Sequence, residues 1–87
     1  MKLAVALEQA NRAFGPPRRP GLASGYGWSL PNGRFLAIFD LDGKGDATAT
    51  LYADDKFGPL LAVLDAEAFA ACDDLAAWAN APYGGDR

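Results

Sequence analysis

The chain has 87 residues, enough for one domain with one modest hydrophobic core, and 51% of them are hydrophobic, too many for a disordered chain. No apolar run is long enough to cross a bilayer as a helix, and the absence of histidine excludes Ser-His-Asp and Cys-His catalysis. The single cysteine, Cys72, cannot form an internal disulfide, so we expect a protein of a reducing compartment, the cytoplasm.

The formal net charge of −3 is unevenly distributed along the chain. Residues 1–34 hold five basic side chains and one acidic one, whereas residues 35–87 hold three basic and ten acidic ones. The first part therefore carries a net +4 and the second a net −7. An acidic surface of this kind keeps a small protein in solution, and it also attracts a basic partner.

The first predicted element is a helix over residues 2–14. Its apolar residues recur at the spacing of one helical face, namely Leu3, Leu7, Ala10 and Phe14. Gly15 suits the residue after a helix, and the two prolines that follow it prevent continuation. Residues 15–25 are rich in proline and glycine, and they predict a stiff connector of polyproline-like backbone.

Residues 28–53 predict a three-stranded antiparallel meander, around which the rest of the chain is organised. Each of its two turns, residues 31–33 and 43–45, ends in a glycine suited to the left-handed position of a three-residue hairpin loop. In the first hairpin this loop length pairs Trp28 with Leu36. The pairs predicted for the second hairpin are Asp42 with Asp46, Asp40 with Thr48, Ile38 with Thr50 and Leu36 with Tyr52.

The predicted register gives the sheet two different faces. One face carries mostly small and apolar side chains, and we expect both helices to pack there because Gly27, Ala37 and Ala49 allow a close approach. The opposite face carries Tyr26, Trp28, Leu30, Leu36, Ile38, Thr48, Thr50 and Tyr52.

The segment Leu60–Leu64 fits either a short fourth strand or the start of a long helix, and Asp65 favours the strand because it suits an N-cap. A helix is predicted over residues 66–79, and residues 82–87 are expected to form a loose tail. The predicted fold is a single α+β domain of residues 1–87 in two layers. It has a three- to four-stranded antiparallel meander with one helix at each end of the chain.

The motifs that could carry chemistry are incomplete. Residues 40–46 look like the start of an EF-hand calcium loop, but Lys44 and Leu51 occupy the fifth and twelfth positions, where oxygen ligands are required. Cys72 lies on the apolar face of a predicted helix beside two aspartates, a setting typical of core packing and unfavourable for a nucleophile. We therefore expect no metal, no cofactor and no enzymatic activity.

Nucleic-acid binding has partial support in the sequence. Tyr26, Trp28 and Tyr52 share one predicted face and could stack on bases. Neutralising a phosphate backbone requires basic surroundings, however, and that face offers Arg34, which Asp40 offsets. We expect neither direct nucleic-acid binding nor membrane binding.

The aromatic face allows two interpretations: a helix covers it as core, or it is exposed to a partner protein. The predicted partner-binding residues are this face together with a ring of aspartates, namely Tyr26, Trp28, Leu36, Ile38, Tyr52, Asp40, Asp42, Asp46, Asp54 and Asp55. The leading hypothesis is a non-catalytic protein-interaction domain that occupies a basic surface of a larger partner. The alternative is a homo-oligomeric structural or accessory protein that forms a homodimer through the aromatic face.

In size, acidity and lack of catalytic groups the chain resembles small inhibitors encoded by phages and mobile elements, of which anti-CRISPR proteins are one class. The likeness is general, and no residue motif carries it. It implies a mode of action in which carboxylates occupy the nucleic-acid-binding surface of another protein.

Overall fold

The computed structural model describes residues 2–16, 19–22, 25–40, 45–54, 56 and 58–83. In chain order the elements are α1 (Leu3–Phe14), β1 (Arg19–Leu22), β2 (Gly25–Ser29), β3 (Phe35–Phe39), β4 (Thr48–Tyr52), β5 (Leu60–Leu64), α2 (Ala66–Ala70) and α3 (Leu75–Asn80). The predicted α+β class is confirmed. Of the described helices none has the length and apolar character needed to cross a bilayer.

The five strands form one antiparallel sheet in the order β1-β2-β3-β4-β5, so every strand lies beside its neighbours in the chain. The prediction of a strand at Leu60–Leu64 is confirmed. β1 was not expected, because its sequence lies in the predicted polyproline-like connector. Extended backbone also suits an edge strand, where the missing N–H group of Pro20 is tolerated.

The register of the first hairpin is the predicted one, with Trp28 opposite Leu36. The predicted register of the second hairpin is wrong by one residue, because Leu36 lies opposite Leu51 and not opposite Tyr52. A shift of one residue moves every side chain of a strand to the other face. As a result Ala49 and Leu51, both fully buried, lie on the face of Trp28, where the prediction placed threonine and tyrosine.

The reason for this shift lies outside the hairpin. The strand pairing stops at Phe39 and Thr48, and the chain just before β4 pairs with the N-terminus of the protein instead. Lys2 forms a β-bridge with Asp46, and the Leu3 amide donates to the Gly45 carbonyl at 2.7 Å. Gly45 has a φ of 85°, the left-handed conformation predicted for it, but it does not close a three-residue loop.

The helices pack on the face of Trp28, Leu36 and Ile38, and the prediction that they would cover the opposite face is wrong. Small residues do allow a close approach between the layers, but they belong to the helices. Ala6 and Ala10 of α1 are fully buried against the sheet. This arrangement buries the apolar side chains of both layers in one core.

The C-terminal helical region is divided into α2 and α3, whereas one helix was predicted over residues 66–79. Asp65 caps α2 as expected, since its Oδ1 atom accepts a hydrogen bond from the Ala68 amide at 2.8 Å. Asp74 does the same for α3, accepting from the Ala77 amide at 3.0 Å. This second cap explains the break, because aspartate favours a cap over a helix interior.

The face of the sheet opposite the helices changes in character from its centre to its edge. At the centre Phe35 and Ala37 are fully buried, and the Phe35 ring lies 6.5 Å from the ring of Tyr52. At the β5 edge Leu60 and Val63 are 55% and 53% exposed. The apolar side chains of this face are therefore buried at the centre of the sheet and exposed at its β5 edge.

Candidate functional site

The predicted aromatic surface is not an exposed patch in this structure. Trp28 is 1% exposed, and Leu36 and Ile38 are fully buried beneath the helices. The Trp28 indole Nε1–H donates to the Gly15 carbonyl at 2.9 Å, which connects the sheet to the end of α1. The prediction that this face is available to a partner is therefore wrong, and the interpretation of the face as core is confirmed for these three residues.

The two tyrosines of the predicted surface lie on opposite faces of the sheet. Tyr26 is half-buried and packs against the core. Tyr52 belongs to the other face and lies beside Phe35, because of the one-residue shift of β4. A continuous stacking surface of Tyr26, Trp28 and Tyr52, as base stacking would require, is absent from this sheet.

The described aspartates of the predicted acidic ring form two groups at opposite ends of β4. Asp40 and Asp46 lie near the start of the strand, and Asp54 follows its end. Five residues of extended chain, roughly 16 Å, separate the two groups. Asp42 and Asp55 lie outside the described residues. The described aspartates therefore do not surround one common surface.

Asp46 lies beside the start of α1, which has no acidic residue in its own first turn, and Asp40 binds the neighbouring Gly45. Asp46 is 3.7 Å from the Lys2 ammonium group, and an Oδ2 atom of Asp40 accepts from the Gly45 amide at 3.0 Å. Negative charge at a helix N-terminus is favourable, so this pair has a structural use. The Oδ1 atom of Asp40 is buried without a hydrogen-bond partner, but the described chain contains no group of three potential metal ligands.

Asp54 organises the turn between β4 and β5. Its Oδ1 atom accepts from the amides of Lys56 and Gly58, at 2.9 and 3.0 Å. A Cβ atom at position 58 would lie 2.4 Å from the carboxylate, so glycine is the residue that fits there. The side chain nevertheless remains exposed, so its negative charge lies in the turn that precedes β5.

Arg34 has a structural role that the sequence reasoning missed. Its side chain is buried, at 5% exposure, and its Nη1 atom donates to the carbonyls of Ala79 and Ala81 at 2.7 and 2.8 Å. The guanidinium carbon lies 5.3 Å from the centre of the Tyr83 ring. Asn32 in the same turn also donates to the Ala79 carbonyl, at 3.2 Å. The turn between β2 and β3 thus satisfies the C-terminal carbonyls of α3.

Tyr83 adds a hydrogen bond to this cluster. Burial raises the pKa of its hydroxyl above the ordinary value, although the nearby Arg34 charge opposes that shift. The hydroxyl therefore stays protonated, and it donates to the Trp78 carbonyl at 2.5 Å. The only sequence signal for this cluster was an arginine directly after a hairpin turn, which predicts no particular partner.

An open cleft of about 330 Å³ lies between α1 and the start of α3. Its lining includes Arg12, which is exposed and pairs with Glu8 four residues earlier at 2.5 Å. It also includes Asp74, whose carboxylate caps α3. Cys72 lies nearby in the chain, half-buried against the core. The Arg12–Glu8 pair and the Asp74 cap therefore stabilise the two helices that border the cleft.

The most distinctive surface is the outer edge of β5, which we call the β5 edge (Leu60–Leu64). β5 has a strand neighbour on one side only, and its sequence Leu-Leu-Ala-Val-Leu contains no charge and no proline. Leu60 and Val63 are two of the three large apolar side chains that are markedly exposed in the described structure. Exposed apolar edge strands readily pair with another chain.

The backbone of the β5 edge presents hydrogen-bonding groups in the same place. The Ala53 amide donates to the Pro59 carbonyl at 2.9 Å, so Pro59 points towards β4. Because inward and outward residues alternate in antiparallel pairs, the N–H and C=O groups of Leu60 point outwards. A bulge at Leu61, opposite Leu51, shifts this alternation by one residue and turns the groups of Val63 outwards as well.

Exposed acidic side chains flank the β5 edge on both sides. Asp54 precedes the strand, and Asp65 and Glu67 follow it. Lys56 is a basic residue in the preceding turn. Over residues 54–67 the sequence contains four acidic residues and one basic residue, a net charge of −3. The β5 edge is therefore an apolar strand between negatively charged ends.

Comparison with models of protein families, with curated proteins and with solved structures finds no match to this chain. The surfaces of the molecule are therefore the basis for a functional proposal.

Proposed function

We propose that the chain is a non-catalytic protein-interaction domain that binds a larger partner with a basic surface and thereby blocks that surface. The observation that carries the proposal is the β5 edge, where exposed apolar side chains lie between acidic residues. An inhibitor of this kind has the general character of the small inhibitors encoded by phages and mobile elements, such as anti-CRISPR proteins. The lone cysteine is consistent with action in the cytoplasm.

The apolar part of this surface favours association. Leu60 and Val63 are about half exposed, and covering each of them would contribute about 1 kcal/mol. The acidic part favours a basic partner, because opposite charges accelerate encounter and like charges suppress incorrect partners. Together these properties match a protein surface in which an apolar centre is surrounded by lysine and arginine.

Homo-oligomerisation, the alternative function, no longer has the predicted aromatic face as its surface. The β5 edge is the described surface most suited to self-association, because an apolar edge can pair with its own copy. A two-fold antiparallel pairing would, however, bring Asp65 of one copy towards the turn that holds Asp54 in the other. This like-charge contact favours a basic partner over a second copy.

The test compares two variants that place the same charge on similarly exposed apolar positions. Val63→Glu alters the β5 edge, and Val5→Glu alters α1, where the side chain is 49% exposed. Each variant and the unaltered chain are immobilised, and bound proteins from an extract of the native host are quantified by mass spectrometry. We expect a captured protein with a basic surface that is lost with Val63→Glu and kept with Val5→Glu.

Circular dichroism must first show that both variants fold. If the Val63→Glu variant captures the same proteins as the Val5→Glu variant, the β5 edge is not the binding surface. A salt-independent association rate of the purified partner would refute the electrostatic part of the proposal.

A further inference from the structure

We propose that the β5 edge binds an extended segment of the partner as a sixth strand of the sheet, and that this segment is apolar with basic residues at both ends. The inference rests on the proposed function and adds the mode of recognition. Added strands gain affinity from main-chain hydrogen bonds and specificity from alternate side chains. The β5 edge offers both main-chain groups and side chains for such a strand.

The main-chain requirement is met by Leu60 and Val63. Their N–H and C=O groups point away from β4. This follows from the inward-pointing Pro59 carbonyl, which fixes the alternation along the strand, and from the bulge at Leu61, which shifts it by one residue. No described element lies beyond β5 in the sheet. A partner strand can therefore hydrogen-bond to these two residues without displacing any described part of the protein.

The bulge makes this edge selective. It separates the outward-pointing residues Leu60 and Val63 by three positions, whereas a regular strand separates them by two. A strand that pairs with both must itself contain an irregularity, so we propose that a regular strand pairs with Val63 and leaves the main-chain groups of Leu60 unpaired. The bulge also protects against indiscriminate pairing, as bulges at natural sheet edges do.

The side-chain requirement follows from the two faces of β5. One face of an added strand would lie beside the exposed side chain of Val63, on the face of the sheet that also carries Tyr52. The other face would lie beside α2, which packs against β4 and β5 and carries the exposed Glu67. Apolar residues suit the first face, and basic residues suit the strand ends near Asp54 and Asp65.

The probe for the experiment is a synthetic peptide of alternating valine and threonine with two lysines at each end, measured against the full chain by calorimetry. We expect a matched peptide with glutamates in place of the lysines to bind at least about tenfold more weakly at low salt. Two further peptides carry N-methyl groups on one or the other set of alternate residues. Only one row of amides in an added strand faces the sheet, so we expect one methylated set to abolish binding and the other to have little effect.

A protein variant tests the same contact from the other side. Val63→Pro removes an outward N–H group but no hydrogen bond to β4, and we expect it to weaken binding of the lysine-flanked peptide by about tenfold. Val5→Glu should leave peptide binding unchanged. The methylated peptides require no change in the protein, so they decide the question even where Val63→Pro does not fold.

Three results would overturn the inference. The first is that the lysine-flanked peptide does not bind at concentrations up to about 1 mM. The second is that the two methylated sets have an equal effect on binding. The third is that the unaltered chain forms a dimer that Val63→Pro dissociates. The last result would assign the edge to a second copy of the chain. If the peptides fail while Val63→Glu still abolishes capture of a host protein, the proposed function stands and the strand-addition mode alone is wrong.

Discussion

The two edges of the sheet differ in how they are protected. β1, with the sequence Arg-Pro-Gly-Leu, contains a proline that cannot donate a hydrogen bond, a glycine and a positive charge. β5, with the sequence Leu-Leu-Ala-Val-Leu, has its proline and its charges outside the strand. Natural proteins use proline, charge and irregularity to prevent edge pairing. Both edges have an irregular register, but only β1 adds proline and charge within the strand, so β5 is the less protected of the two edges.

The largest expected effect concerns the β1 side, where Trp28 of β2 connects the sheet to the end of α1. Trp28→Ala should lower the free energy of unfolding by about 3–5 kcal/mol, because it leaves a cavity in the core. Chemical denaturation followed by circular dichroism measures this loss. Without denaturant, at a temperature where the variant is still folded, it should bind the lysine-flanked peptide as tightly as the unaltered chain does. A loss below about 1 kcal/mol would contradict the buried position of Trp28.

The amides of β5 differ in their expected rates of hydrogen exchange. The amides of Leu60 and Val63 point outwards, whereas those of Ala62 and Leu64 point towards β4. We expect the outward pair to exchange at least about tenfold faster than the inward pair, as measured by NMR. Equal protection of all four amides would show that the β5 edge is covered.

Asp65 allows the charge at the β5 edge to be separated from the structure behind it. Asp65→Ala removes the N-cap of α2 and should destabilise the protein by about 1 kcal/mol. Asp65→Asn keeps a capping oxygen but removes the charge, so stability should change little while the lysine-flanked peptide binds more weakly. Thermal unfolding and calorimetry on both variants provide the test. Unchanged peptide binding by Asp65→Asn would exclude this carboxylate from recognition.

The smallest expected effect concerns Thr50 of β4, next to β5. The hydroxyl oxygen of Thr50 is buried without a hydrogen-bond partner. Thr50→Val keeps the β-branched shape and removes this unsatisfied group, so it should raise the free energy of unfolding by up to about 1 kcal/mol. Denaturant titration measures the change. A clear loss of stability would indicate that the hydroxyl has a partner in solution.

Local signals in the sequence were sufficient for several elements. The stop at Gly15, which has a φ of 83°, the first hairpin register and the Asp65 cap were all predicted from residues within a few positions of the feature. The prediction of the second hairpin register was wrong because Lys2 and Leu3, far away in the chain, pair with the residues before β4. The break before α3 was not predicted, because Asp74 was assigned to a helix interior instead of a cap.

The candidate surface was harder to predict than the fold. Trp28, Leu36 and Ile38 were assigned to a partner because an aromatic sheet face does not reveal from sequence which side the helices will cover. The uncharged run Leu60–Leu64 between Pro59 and Asp65 was recognised as a strand, but its position at the edge depends on the order of all five strands. Exposure at that edge is a property of the whole sheet.

The bridge between Lys2 and Asp46 also has a consequence for how the chain folds. The two residues are 44 positions apart, so the contact requires closing a long loop, whereas the three-residue hairpin turn needs only local closure. During folding the hairpin of β3 and β4 can therefore form first in the non-native register that a three-residue turn favours, with Leu36 opposite Tyr52. The N-terminal residues must then arrive to select the native register, so a chain shortened by its first three residues should fold to a mixture of the two pairings.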